Sequence, residues 1–391
     1  MTRVTPVTPV TPVTPVECAQ LKVVHVITSL TTGGAERQLE LLVDRSQHHT
    51  ATIALYEGGP VADSLRTSGH RVDVLGMDGW RRLVAPLRLA RRLRRYRPDV
   101  VHVHLLAAQL WGIPAARLAG VPVVVSSEHS LMDDTIEGRP HTWWLRLLYR
   151  VLERMTTHTV AVSATTAARL HDWGVADERI TVVDNGIDFE RLTFDPAARR
   201  RVRAELGLDD AATVIGVVGR LDQVKRIDTI LRACAPLLRD GRHLVVAGTG
   251  PLWAELRALS AQLGVADAVS WLGARGDVNE VLSAMDLLVS ASADETFGMA
   301  VVEAVGSGLP VVYVQCPALE ELPEDLPGAV RVVRGDDPDA DVRLLGAALV
   351  TQLDRLRRWP VPAVLGQRYG AVGAAASVDD LHRALVEHAR A

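Results

Sequence analysis

From Leu21 onward the chain alternates short apolar runs with longer amphipathic stretches, and it goes through this rhythm twice. Lys22 to Thr28, Thr50 to Leu55, Arg71 to Leu75, Val100 to His104, Val123 to Ser126, Thr159 to Val162 and Ile180 to Val183 read as strands. Stretches such as Ala35 to Val43 and Leu83 to Tyr96 carry helical spacing between them. Strand and helix in alternation close their apolar faces as a parallel sheet covered by helices on both sides. After Asn185-Gly186-Ile187-Asp188 and a polar, arginine-rich stretch from Glu190 to Gly207, the rhythm restarts with Thr213 to Val218. Leu244 to Ala247, Ala268 to Leu272, Leu287 to Ser290 and Pro310 to Val314 follow. The expectation is an α/β chain of two doubly wound, Rossmann-like domains, 21–190 and 191–371, facing across a cleft. A last helix, about 372–391, is free to pack back on the first domain.

The length of 391 residues suits two domains, each with its own core. A formal net charge of -4 gives no field of the kind a nucleic-acid binder needs, so nucleic acid is not an expected partner. No window of 18 apolar residues occurs, and Met1-Thr2-Arg3 leads into a Val-Thr-Pro repeat rather than a hydrophobic signal core. These features predict a cytoplasmic protein with a polyproline-like or disordered tail over residues 1–20. Cys18, Cys234 and Cys316 are far apart, so neither a disulfide framework nor a zinc site is expected. Arginine supplies nearly all the basic residues, the mark of a GC-rich coding genome, and the only lysines are Lys22 and Lys225.

The chemistry concentrates at predicted strand ends. Ser290 to Ala304 runs from a strand through a loop into a helix and places Glu295 and Glu303 eight residues apart, one on the loop and one about a turn into the helix. A loop entering a helix offers free amides to an anion, and flanking carboxylates accept from neutral hydroxyls; together they suit a sugar phosphate. Gly33-Gly34, between the first strand and its helix, is either a tight turn or a second phosphate approach. Arg220 and Lys225 share one loop after Thr213 to Val218 and could neutralise a diphosphate, or simply be solvated. Gly248-Thr249-Gly250 lacks the third glycine of a dinucleotide fingerprint, whose place Trp253 takes, which disfavours a hydride-transfer cofactor.

His129 follows a strand of the first domain and is read either as a cleft group or as a structural histidine. Asp337-Pro338-Asp339-Ala340-Asp341 has a metal-like spacing but reads as a proline-broken turn and helix cap, so no metal is expected. Residues 81–97 hold eight arginines around a stripe of Leu83, Leu87, Ala90, Leu93 and Tyr96. Such a helix either covers the domain with a wet basic face or touches anionic lipid.

Taken together, in order and spacing, these segments resemble the family-4 retaining glycosyltransferases of the GT-B fold over nearly the whole chain from about Leu21. Within the family the resemblance extends to the branch that builds aminoglycoside antibiotics, of glucosaminyl or kanosaminyl type. It implies that Glu303 binds the ribose hydroxyls of a UDP-sugar donor and Glu295 the donor sugar. Phe297, Gly298, Met299 and Ala300 would offer amides, Gly33 and Gly34 a glycine turn, and Gly273 and Arg275 would lie near the base. Arg220 and Lys225 would stabilise departing UDP in place of a metal, and His129 matches the family's cleft histidine. No cofactor is implied.

Two departures stand out from the family pattern. Gln315-Cys316-Pro317 replaces a common Gly-Gly turn, and Arg226 occupies a position where glycine commonly follows the lysine. Glu128, Asp133, Asp134 and Glu137 around His129 form either an acceptor site for a small polar, cationic aminocyclitol or an ordinary acidic loop. Competing readings are a lipid or inositol-type acceptor at a membrane, and a UDP-sugar epimerase of the same architecture, which would need no acceptor.

Overall fold

The structure is a computed structural model that describes residues 20–391 apart from residues 80 and 240; the Val-Thr-Pro tail lies outside the described residues. Two parallel sheets dominate. The first has seven strands in the order Arg71–Val74, His49–Ala54, Lys22–Ile27, Val100–His104, Val123–Glu128, His158–Ala161 and Ile180–Val182. The second has six, in the order Val269–Gly273, Arg242–Ala247, Thr213–Val218, Leu287–Ser290, Val311–Tyr313 and Ala329–Arg331. Every residue of Val100–His104 is buried, as befits a central strand covered on both faces. In each sheet the strand order reverses beside the first strand, and ligands of such sheets bind in the crevice at that switch point.

Helix starts follow local chemistry. Ser163 accepts from the Thr166 amide to begin Ala164–Asp172, Thr142 does the same for Trp143–Arg154, and Asp195 for Pro196–Glu205. Asp337 caps Pro338–Leu353 and Asp341 receives the Gly335 amide at 2.7 Å, so this acidic run is a cap and a turn.

Some elements depart from the sequence pattern. The polar stretch after Glu190 contains the helix Pro196–Glu205, whose buried face of Ala198, Val202 and Arg203 is too sparse and too polar to show an apolar period. The Arg203 side chain is 1% exposed, donates to Asp286 Oδ2 at 2.7 Å and ties down the carbonyls of Asp209 and Ala212. The short strand Ala329–Arg331 and the hairpin Thr135–Ile136 with Arg139–Pro140 carry too few residues to show a period. In Arg81–Tyr96 the buried face is set by Ala85, Leu89 and Leu93, which leaves Leu87 51% exposed rather than on the inner stripe.

The chain passes between the halves at Ile187 and again at Gly370, and these passages pair with each other through Ile187 N to Tyr369 O and Ala371 N to Ile187 O. The helix Ala371–Arg390 then lies on the first domain, where Val378 and Val386 join a cluster with Val23, Val123, Val125 and Val160. Its Asp379 accepts from Ser46 Oγ at 2.8 Å and from the Gln47 amide at 2.7 Å. Among the described residues, no helix is long and apolar enough to cross a membrane.

Candidate active site

The loops at the two switch points face one another. In the second domain, Gly219 opens the basic loop at φ +150° and Gly248 ends the neighbouring strand at φ +149°. Their backbones touch so closely that a Cβ on Gly248 would lie 1.8 Å from the Gly219 carbonyl oxygen. Asp222 accepts from the Lys225 amide at 3.3 Å and starts a single tight turn, Gln223–Lys225. Arg226 follows in the left-handed region at φ +48°, the conformation that makes glycine comfortable there. Its guanidinium is anchored on Asp341 at 2.5 Å.

This turn aims Lys225 at the acidic loop, where its Nζ donates to Glu295 Oε1 at 2.5 Å. Burial works against the ammonium, yet the Glu295 carboxylate outweighs it and raises the lysine above its ordinary pKa. Arg220 is mostly exposed, with its guanidinium 3.7 Å from Asp222. Gly273, at φ +68°, accepts the Gly248 amide at 2.8 Å. The Arg275 guanidinium grips Asp277 through two bonds of 2.8 and 2.6 Å and also reaches Glu205 at 3.3 Å, so it is committed within its own domain.

The acidic loop is stitched to the first domain. Arg169 donates to Asp294 Oδ1 at 2.6 Å and to the Glu295 carbonyl at 3.1 Å, and the Asp133 amide donates to Asp294 Oδ2 at 2.6 Å. Thr296 Oγ1 donates to the His129 carbonyl at 2.9 Å, while Ser163 Oγ donates to the Thr296 carbonyl at 2.6 Å. Phe297 is buried edge-on to Tyr369, their ring centres 5.2 Å apart. Gly298 turns at φ +95° directly over Cys316, whose Sγ lies 2.5 Å from the place a Cβ would occupy. Cys316 therefore fills the space beneath the turn. The helix Met299–Gly306 begins here, and its first amides have no acceptor within the helix.

Glu303 sits half-buried one turn on, where burial raises its carboxyl to about 7 against the opposing pull of Arg37. Arg37 belongs to the helix Gly34–Arg45 of the other domain and donates to the Gly276 carbonyl at 3.0 Å. Gly34 faces Met299, with room for a Cβ 3.9 Å from its Cγ. Gly33 makes way for Glu36, whose carboxylate oxygen lies 2.3 Å from a Cβ built there. Gln38 bonds both the carbonyl and the amide of Gly186, at 2.7 and 2.8 Å.

On the first domain, burial lowers His129 to about 4, so its ring is neutral. Its Nε2 lies 3.3 Å from His104 Nδ1, and His104 Nε2 lies 3.1 Å from His25 Nδ1. His102 bonds Ser127 Oγ at 2.8 Å and His382 Nε2 at 3.2 Å. This run of imidazoles joins the cleft to the C-terminal helix through the core.

Two trios, His25 with His102 and His104, and His48 with Asp379 and His382, bring ligand atoms within 4.8 Å of one another. Both are buried, the first on the central strands Lys22–Ile27 and Val100–His104.

The acidic group around His129 needs correction. Glu128 fits neither the acceptor site nor the ordinary acidic loop, because it is buried and accepts from Tyr149 at 3.0 Å, Gln109 at 3.3 Å and the Ser130 amide at 2.9 Å. Burial raises its carboxyl. Glu137 is spent on the Leu106 amide at 2.8 Å and on Arg139 at 3.0 Å. Asp133 pairs with Arg169 at 2.9 Å yet stays largely exposed, as does Asp134.

Sequence reasoning missed Arg169, Asp294 and Thr296, which position Glu295. Asp294 adjoins the carboxylate pair and was within reach; Arg169 stands alone in a helix and carries no local pattern.

Two facing doubly wound sheets, with a basic loop and a carboxylate loop at the switch point of one, define the GT-B class of two-domain architecture. Residues 32–191 match the Glycosyltransferase Family 4 profile and residues 212–349 the Glycosyl transferases group 1 profile. The chain belongs to the family-4, group 1 glycosyltransferases of the GT-B fold.

A D-inositol 3-phosphate glycosyltransferase of Stackebrandtia nassauensis is 33% identical over 238 residues, covering 55% of this chain and 52% of the relative. The 2-deoxystreptamine glucosyltransferase of Streptomyces kanamyceticus is 32% identical over 232 residues, covering 56% of this chain and 60% of the relative. The chain thus spans between about half and three-fifths of the length of these curated relatives. In fold it is similar to Anabaena Alr3699/HepE, solved in complex with UDP and glucose, with a TM-score of 0.78 at 20% identity over 93% of this chain and 99% of that one. It is also similar to sucrose-phosphate synthase of Thermosynechococcus elongatus, with a TM-score of 0.71 at 17% identity over 94% and 100% of the two chains.

Proposed function

We propose that the protein transfers a hexosyl or aminohexosyl group from a UDP-sugar to a hydroxyl of a small ring polyol, with retention at the anomeric carbon and without a metal. The observation that carries this reading is the Lys225 ammonium held 2.5 Å from Glu295 at the start of the helix Met299–Gly306, with Arg220 on the same loop. A diphosphate seated there meets an ammonium, a guanidinium and helix amides, the charge a departing UDP needs. Glu295 would take a sugar hydroxyl as it releases Lys225 to the phosphate, and Glu303 would take the ribose hydroxyls. The acceptor oxygen bonds to the anomeric carbon as the bond from that carbon to the phosphate oxygen breaks. The acceptor's proton passes to that phosphate oxygen. Neither glutamate serves as nucleophile or proton carrier; the rate comes from orientation and charge.

The names of the relatives, inositol phosphate and 2-deoxystreptamine, share a six-membered carbocycle, which supports a cyclitol acceptor. Exposed Asp133 and Asp134 beside the stitched loop favour a cationic aminocyclitol, as an aminoglycoside intermediate would be. The test is a matrix of UDP-hexoses against 2-deoxystreptamine and myo-inositol 3-phosphate, read by mass spectrometry. Glycosylated aminocyclitol is the expected product. Product on inositol phosphate alone would move the acceptor assignment, and conversion of the UDP-sugar with no acceptor would make the protein an epimerase.

A further inference from the structure

Three helices, Arg81–Tyr96, Leu106–Ala119 and Trp143–Arg154, lie side by side on one face of the first sheet. The chain carries 47 acidic residues, yet the first two helices contain none and the third has only Glu153. Glu153 is buried, where it accepts from Thr156 and Thr159 at 3.1 and 2.9 Å and pairs with Arg179. The outer surface of these helices therefore presents no carboxylate of their own. It does present arginine, with Arg88 and Arg91 exposed on the first helix and Arg146, Arg150 and Arg154 on the third.

The third helix already has a face turned to the core, formed by Leu145, Tyr149 and Leu152. It carries a second apolar stripe on the outside: Trp143 is 77% exposed, Leu147 55% and Val151 45%, spaced four residues apart, with Trp144 beside them at 52%. Arg146, Arg150 and Arg154 repeat at the same interval and form the neighbouring row. Neutral atoms hold two of them: Arg150 donates to the Trp173 carbonyl at 2.9 Å and Arg146 lies 5.3 Å over the Trp173 ring. Their charges stay uncancelled. Two exposed indoles beside a row of guanidiniums with no carboxylate of their own helix at the surface are a poor surface for a protein that meets only solvent.

We propose that this face docks the protein on an anionic lipid surface, with Trp143, Trp144, Leu147 and Val151 entering the headgroup region and the arginine rows over lipid phosphates. Indoles settle at a membrane interface because they are part apolar and part polar, and an amphipathic helix with a basic flank lies in that plane. A second copy of the chain fits less well, because a two-fold contact would set the same arginine row against itself. Docking is independent of the donor chemistry proposed above, since none of these residues belongs to the loops of Lys225, Glu295 and Glu303.

The full chain is sedimented with phosphatidylcholine vesicles and with vesicles containing phosphatidylglycerol. Binding should rise with the anionic lipid and fall with salt. A Trp143→Ser/Trp144→Ser variant should lose about tenfold in partitioning, and Arg88→Gln/Arg91→Gln should weaken the dependence on anionic lipid. Unchanged melting temperature and unchanged turnover on soluble substrates in both variants would show that fold and cleft are intact. Failure of the wild-type chain to sediment with anionic vesicles overturns the proposal, as does undiminished sedimentation of the tryptophan variant. A concentration-dependent dimer that the tryptophan variant dissolves, without vesicle binding, assigns the face to a second copy and overturns it equally.

Discussion

Lys225 Nζ donates to Glu295 Oε1 at 2.5 Å across the two loops at the switch point of the second sheet. Each group neutralises the other, and in the proposed reaction each has a different destination on the donor, phosphate for the ammonium and sugar for the carboxylate. Replacing Lys225 with Ala should lower turnover on a UDP-hexose by about 10²-fold, the effect of losing one electrostatic contact to the leaving group. Arg220→Ala should do the same with an unchanged melting temperature, because that side chain is mostly exposed. Steady-state kinetics with thermal melts will show it; near-normal turnover in both variants sinks the leaving-group role.

Glu303 should make donor binding depend on pH. Its carboxyl lies near 7, raised by burial, and the ionised form is the better acceptor for ribose hydroxyls. Affinity for UDP should therefore strengthen as pH rises through about 7, and Glu303→Gln should flatten that dependence. The same raised value works against stability in the other direction. Between the ordinary carboxylate range and about 7 the unfolded chain gives up this proton more readily than the folded one, so the group's contribution falls as pH climbs through that window. Titration calorimetry of wild type and variant across pH decides the binding claim.

The histidine run predicts acid sensitivity. Burial lowers His25 to about 3 and His129 to about 4, and places His102, His104 and His382 well below the usual imidazole range. In the unfolded chain these rings take protons near 6.5. The stabilising preference for neutral rings is fully present above that value and is lost as pH falls below it toward 4. Thermal melts should drop steeply between pH 6.5 and 4, and His102→Phe should shallow that slope. A slope identical to the wild type's would show that other groups govern acid unfolding.

Gly298→Ala tests the turn above Cys316. The alanine methyl would meet Cys316 Sγ at 2.5 Å in a backbone of φ +95°, so both clash and strain oppose it. Weakened UDP binding and a loss of stability of about 1–3 kcal/mol are expected. Adding Cys316→Ala should recover part of the stability by removing the clash, leaving the strain. No recovery would mean that backbone conformation alone accounts for the loss.

The rhythm of strands was legible because parallel strands buried on both faces are short and apolar, and Val100–His104, Thr213–Val218 and Leu287–Ser290 fall where the pattern places them. Arg203 defeated the same reading, since a buried arginine that caps carbonyls looks like surface in a sequence. Glu295 and Lys225 stood out through position at strand ends, but their pairing depends on the φ of Gly219 and the turn at Asp222, which no linear spacing reports. Glu128 misled for the opposite reason: a charge in a loop sequence looked solvated, and Tyr149 and Gln109, both from helices distant in sequence, enclose it.

The side-by-side passages of the chain at Ile187 and Gly370 act as a pair of pins on one edge. With both crossings adjacent, the covalent path leaves a swing about them as the simplest relative motion of the halves. Lys225 and Glu295 ride on the same half, so a swing leaves their spacing untouched and instead strains the bonds from Arg169 to Asp294 and from Thr296 to His129. Opening the cleft then breaks that seam and the bond from Arg37 to the Gly276 carbonyl, while the charged pair keeps its geometry.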